Sequence, residues 1–304
     1  MYRVKQLTTG AYTVTENATD DDGALVAVTG QLTVKIYDGA NTLLATQTPT
    51  CTNGVFSTTI AASLLPKLDT YTLVWGGTAN GNAAEWRTTL EVCGGYLFEI
   101  ADLRTFDRAF ADTNKYPTAL LRKVRTWVEQ TLESPRAGNV AFVPRGRRLT
   151  MSGNSPDLNR GYYPLLYGND YRELIVPNFL VRSLYSASIN SVALTDTELA
   201  GVSIVDNVLY RSAGVQWPAW PYGKNNLTFH YTHGYEAAPG AITRAALILA
   251  REYLIQSDLP GRATATSIGD QMFRLTIAGR DGVTGIPDVD AAIQQWGRNS
   301  ALVG

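Results

Sequence analysis

Histidine and cysteine are scarce in this chain: two of each in 304 residues, with only three methionines. A structural zinc needs four closely spaced Cys or His ligands, and nothing here supplies them. Cys51 and Cys93 do not make a disulfide framework either; two free thiols fit a reducing compartment. Charge is sparse as well, at 17% of residues against ~25% in a typical soluble chain. The formal net charge is −1, whereas a free-standing nucleic-acid binder is normally clearly basic. A surface with so little charge is one that meets other protein. Missing too is any apolar run near the ~20 residues of a membrane span. "MYRVKQLTTG" lacks the apolar stretch of a signal peptide. The expectation is a soluble chain, not exported by that route, with no membrane partner.

Enzyme signatures are equally thin. There is no G-x-S-x-G, and "GRDGVTG" lacks the spacing and the Lys-Ser/Thr of a P-loop. Both histidines fall in "LTFHYTHGY". Strand alternation puts Leu227, Phe229, Tyr231 and His233 on one face and His230 on the other, so the two imidazoles cannot grip one metal. Asp288 and Asp290 in "PDVD" fall in a first helical turn, where carboxylates favour the helix dipole. No catalytic, metal or cofactor site is expected, and the chain reads as a non-enzyme.

What is present divides in two. Residues 1–95 are rich in Thr, Gly, Val and Ala and carry a balance of −3, against +2 for the remainder. "QLTVKIYD", "TYTLVWGG" and "EWRTTLEV" alternate with period two, and "DGAN", "TNG" and "GGTANGN" supply turns between strands. That rhythm predicts an all-β, immunoglobulin-like sandwich over 1–95, with a boundary near "CGGY". Residues 96–304 predict an α+β domain, helical at both ends with a β-rich insertion. "YPTALLRKVRTWVEQTLE" is an amphipathic helix with Leu120, Leu121, Val124, Trp127, Val128 and Leu132 as its inward stripe and Arg122, Arg125, Thr126, Glu129 and Glu133 outward. A helix at 241–256 is apolar nearly all round: Ile242, Ala246, Leu249 and Tyr253 lie on one side, Ile248 and Ile255 on another. Such a helix predicts neighbours from another subunit as well as its own core.

Two surface features stand out. "FVPRGRR" gathers Arg145, Arg147 and Arg148 into a basic patch that suits a phosphate backbone, an acidic partner surface or a solvated hairpin tip. "VQWPAWPYGKNN" sets Trp217, Trp220 and Tyr222 in one loop, suited to stacking on sugars, to an interface, or to pinning the loop onto its own domain. With Ile248, Ile255 and Trp296 of the last helix, these are the candidate protein-interface residues.

Three segments carry a resemblance: the opening helix "YPTALLRKVRTWVEQTLE", the "YTHGY…P…I…A" step from strand to helix, and the end "FRLTIAGRDGVTGIPDVDAAIQQW" with its "TG-x-P-x-V-D" helix start. From Tyr96 to the C-terminus the chain resembles the head–tail connector, or adaptor, proteins of long-tailed bacteriophages. The resemblance implies a structural virion protein of the head–tail junction, assembled in the host cytoplasm. It implies a ring of copies, expected to be a dodecamer, beneath the portal protein. The ring would extend the DNA channel, pass double-stranded DNA without sequence-specific binding, and dock a downstream neck or tail-completion protein. The N-terminal sandwich departs from the minimal adaptor as an added module. That sandwich and Trp217/Trp220 motivate the alternative, a carbohydrate- or host-surface-binding module.

Overall fold

In the computed structural model the described residues are 2–134, 137, 140–153, 173–178, 180–205, 207–211, 220–221, 223–255, 265–268, 271–274 and 283–297. Eight strands come first: β1 (Tyr2–Lys5), β2 (Ala11–Asn17), β3 (Val28–Tyr37), β4 (Leu43–Gln47), β5 (Thr50–Thr52), β6 (Val55–Ala61), β7 (Asp69–Ala79) and β8 (Asn82–Cys93). They make a five-stranded sheet in the order β1-β8-β7-β3-β4 and a three-stranded sheet in the order β2-β6-β5. Alternation explains the pairing of the sheets. Val34, Ile36, Leu73 and Trp75 of one bury against Tyr12, Val14, Phe56 and Ile60 of the other, at about 1.5–3 kcal/mol for each large side chain. The buried indole of Trp75 donates to the Thr88 hydroxyl at 2.8 Å, and Thr88 donates in turn to Glu16. Asn80 and Gly81 join β7 to β8 with φ of 51° and 77°. Both are left-handed, as the two-residue turn that matches strand twist requires. β1 differs from the rest by pairing parallel to β8, from Tyr2–Leu90 to Lys5–Cys93. Both cysteines are free thiols.

The rest of the chain alternates helix and strand: α1 (Ile100–Phe106), α2 (Thr118–Leu132), β9 (Arg145–Gly153), β10 (Glu173–Ile175), β11 (Val181–Ile189), β12 (Val192–Ala193), α3 (Asp196–Ala200), β13 (Val202–Val205), β14 (Val208–Arg211), β15 (Gly223–His233), α4 (Gly240–Leu254), β16 (Ala265–Ile268), β17 (Gln271–Arg274) and α5 (Pro287–Trp296). α1, α2, α4 and α5 share one core through Leu103, Leu121, Val128, Ile242, Leu249 and Val289. A four-stranded sheet, β12-β11-β15-β9, and a three-stranded one, β10-β14-β13, enclose a separate cluster that includes Leu174, Leu209, Trp220 and Phe229. Strand outweighs helix, and the chain is β-rich with several sheets and few helices.

The inward stripe predicted for α2 is partly wrong. Leu121, Val124, Val128 and Leu132 are buried as expected, but Leu120 and Trp127 are exposed, while Arg125 and Glu129 keep only 4% and 0% of their surface. The reason is that α2 is covered on two sides. α1 and α4 take the apolar stripe, and β1 lies against the charged one. Glu129 and Glu133 there pair with Arg3 of β1 and Arg145 of β9, and Arg125 lies over the Tyr96 ring beside Glu99.

The start of α5 explains its "TG-x-P-x-V-D" run. Pro287 occupies the first turn, where its missing N–H costs nothing. The Asp290 carboxylate accepts from the N–H groups of Thr284 (2.9 Å) and Gly285 (3.0 Å) and from the Thr284 hydroxyl (3.0 Å). Val289 enters the helical core. The motif is a clamp that fixes the entry of the helix.

Candidate functional site: a charged joint and an aromatic helix face

β9 carries Arg145, Arg147 and Arg148 along the side of the sandwich, and alternation sends them to different places. Arg145 turns inward. Its Nη2 lies 3.2 Å from Glu129 and 3.1 Å from Glu133, and its Nε lies 3.8 Å from Glu91. Arg3 of β1 enters the same cluster, with Nε 2.6 Å from Glu91 and Nη1 2.8 Å from Glu129 and 3.3 Å from Glu133. Main-chain donors finish the carboxylates: Leu97 N–H reaches Glu129 at 3.0 Å, and Phe142 N–H reaches Glu133 at 3.3 Å. Three carboxylates thus face two guanidiniums from β1, β8, α2 and β9, all of them largely buried.

The electrostatics follow from that count. Burial lifts the Glu133 carboxyl above its ordinary range, and the attraction of Arg145 and Arg3 does not fully offset it. Burial would lower the Arg145 pKa, but Glu133 and Glu129 outweigh it and hold the guanidinium firmly charged. Cys93 lies beside the cluster, its thiol donating toward the carbonyls of Val4 and Gly95 at 3.3 and 3.2 Å. Burial pushes this thiol up to about 11, so it is no nucleophile at neutral pH.

Arg148 points the other way, to the sandwich. Its Nη2 meets Asp38 at 2.9 Å and Asp69 at 2.8 Å, and its Nε meets Asp69 at 2.9 Å. His230 of β15 packs beside it, with Nε2 3.1 Å from the Leu68 carbonyl and 3.7 Å from Asp69. Burial lowers its pKa more than Asp69 raises it, so the neutral imidazole donates to Leu68. His233 sits near Tyr231, and burial, with Arg147 and Arg145 nearby, lowers it to about 4. The two histidines are structural members of one strand and do not converge.

The arginine patch is therefore corrected. Arg145 and Arg148 do not form an open patch; both pair with carboxylates of their own chain and tie β9 to the sandwich. Arg147 lies between them in sequence, half-buried and paired across the sheet with Tyr231. Trp220 is corrected as well. It is 1% exposed, its indole donates to the Leu209 carbonyl at 3.1 Å, and its ring meets Phe229 edge-on. It fills a core and offers no face to a sugar. Trp217 and Tyr222 lie outside the described residues. Ile248, Ile255 and Trp296 are half-buried against the helical core, and Trp296 meets Tyr235 edge-on at 6.0 Å.

The surface missed in the sequence is on α2 and α4. Trp127 and Tyr253 stack with ring centroids 4.3 Å apart, yet they remain 39% and 55% exposed. Leu120 is exposed on the same helix, α2. The available signal was spacing: Leu121, Val124, Val128 and Leu132 already complete one helical stripe, which leaves Leu120 and Trp127 one position to its side. Among the described residues no group of His, Cys, Asp and Glu is arranged to hold a metal ion, and no helix is long and apolar enough to cross a membrane. No family model matches the chain, and no curated protein is significantly similar to it.

Proposed function

We propose that this chain is a structural component of a bacteriophage virion, a head–tail connector that assembles with itself into a ring beneath the portal. The observation that carries the reading is the Trp127–Tyr253 face. Two stacked aromatics stand open on helices that pack one side into the shared helical core, α2 also lying against β1 of the sandwich. Interfaces enrich Trp and Tyr in this way. The half-buried Ile248 and Ile255 of the α4 segment add apolar surface to the same helical unit. The order of helices and strands after Tyr96, and the clamp at the start of α5, support the connector class.

In this reading the N-terminal sandwich is an immunoglobulin-like module, supported by its two facing sheets and Greek-key-like mixing of strand order. Double-stranded DNA passes through the ring without sequence-specific contact, the portal and a downstream neck or tail-completion protein are the partners, and no reaction is catalysed. Electron microscopy and mass measurement of the purified chain test the proposal. Closed rings are the expected result. A monomer at all concentrations and salt conditions, absent from any particle, overturns it.

A further inference from the structure

A groove of about 1040 Å³ lies where the sandwich meets the helices. Tyr2 of β1 and Thr13 and Thr15 of β2 line one side, and α1 and α2 line the other. The α2 wall is basic. Arg122 and Lys123 are exposed on it, and among the described residues neither has a carboxylate within ion-pair distance. Arg125 lies deeper, its guanidinium 3.3 Å above the Tyr96 ring and 3.6 Å from Glu99. Its Nε is buried without a hydrogen-bond partner among the described residues. Of the groove's acids, Glu16 is held by Thr88 and Glu99 faces Arg125. Cationic charge on the α2 wall is left over.

The complementary surface is on the sandwich. Asp20, Asp21 and Asp22 are consecutive and exposed in the turn that follows β2. The turn is built from within: Asp20 accepts from the N–H groups of Asp22 (3.1 Å) and Ala24 (2.8 Å), and a bridge between Thr19 and Leu25 closes it. Asp21 and Asp22 are thereby presented outward with no cation within ion-pair distance among the described residues. The sandwich's other acids are largely committed, Asp38 and Asp69 to Arg148 and Glu91 to Arg3. Neither Asp21 nor Asp22 lines the groove of its own chain.

We propose that the Asp21–Asp22 turn of one copy docks in the Arg122/Lys123 groove of the next. Donor and acceptor surfaces differ, so the contact is heterologous. It repeats head to tail and either closes into a ring or runs on as a filament. Trp127 lines the same groove, which makes the charged contact continuous with the aromatic face. The inference rests on the self-assembling reading above and names the lateral contact that reading needs.

Native mass spectrometry and sedimentation of the full chain at low salt test it. Four samples are compared: the wild type, Arg122→Glu with Lys123→Glu, Asp21→Lys with Asp22→Lys, and an equal mixture of the two variants. Each variant alone sets like charges against each other and should associate about tenfold or more weakly. In the mixture every groove can find an opposite turn, so alternating copies should assemble again. Circular dichroism verifies folding. If either double variant fails to fold, Lys123→Gln and Asp22→Asn carry the comparison, with weaker association and a reduced salt dependence expected. A wild type that stays monomeric overturns this contact together with the ring. A wild type that assembles, with variants that assemble equally well, overturns the contact alone. Variants that lose assembly without rescue in the mixture also overturn it, because the two surfaces would then not be each other's partners.

Discussion

Removing Arg145 would leave Glu91, Glu129 and Glu133 facing Arg3 alone. Arg145→Ala is expected to cost about 3–5 kcal/mol in urea unfolding, the penalty for stranding buried charge; a cost below ~1 kcal/mol would mean that water reaches the cluster. Glu133 behaves differently, because the cluster has one carboxylate more than it has guanidiniums. Its folded pKa is raised, so the native state binds this proton more tightly than the unfolded chain. That contribution is fully present below the unfolded value, near ~4.3, and is lost as pH rises through the folded value. Glu133→Gln mimics the protonated side chain and should gain stability relative to the wild type as pH is raised from about 4 to about 8. A constant difference across that range would contradict the assignment. His233 has the opposite sign. Its pKa is lowered from 6.5 to about 4, so its contribution is present above ~6.5 and lost as pH falls toward the folded value, by on the order of 3 kcal/mol in full. His233→Gln should flatten the acid limb of the stability profile between those values, and an unchanged slope would place the loss elsewhere.

At the scale of elements, β9 matters most, because it is the strand that meets the sandwich. Gly146 lets it do so. A Cβ at this position would sit 1.7 Å from the Leu68 carbonyl oxygen, so β9 and the start of β7 must separate to admit one. Gly146→Ala is expected to cost at least about 1–3 kcal/mol, as overpacking does, and to speed amide exchange around Leu68 and Asp69; an unchanged melting curve with unchanged exchange would show that the joint has slack. The strands themselves were legible in the sequence, since period-two burial at Val34/Ile36 and Leu73/Trp75 is a local signal and Asn80-Gly81 declares its turn. So were the starts of α2, α4 and α5, each at a proline. The joint was not. Arg145 and Glu129 look like solvated charges when read locally, and the Arg3–Glu129 pair spans 126 positions. Hydrophobic periodicity is blind to a helix face that is buried but polar, which is why α2 was assigned one inner side instead of two. Trp220 was misread for a related reason: its partners, Leu209 and Phe229, come from β14 and β15, and a Trp-Pro loop carries no sign of them.

For the whole molecule, opposite charges meet where the sandwich joins the rest of the chain. The first 95 residues carry −3 and the remainder +2, and the two meet through Glu91, Asp38 and Asp69 on one side and Arg145 and Arg148 on the other. With those charges spent inside, the open Trp127–Tyr253 pair becomes the prominent feature of the helical surface. Its own stacking is worth roughly 0.5–1.5 kcal/mol, a modest part of the stability of a chain this size. Its value in an interface would be larger, since a buried aromatic anchor commonly costs at least ~2 kcal/mol of association when truncated. Trp127→Ala combined with Tyr253→Ala should therefore separate folding from assembly. The melting temperature should fall by only a few degrees, about what 1 kcal/mol produces in a protein of this length. Self-association, followed by mass against concentration, should weaken by about 30-fold or more. If instead the double variant assembles like the wild type, the aromatic face is only helix packing, and the contacts between copies must be sought on another side of the molecule.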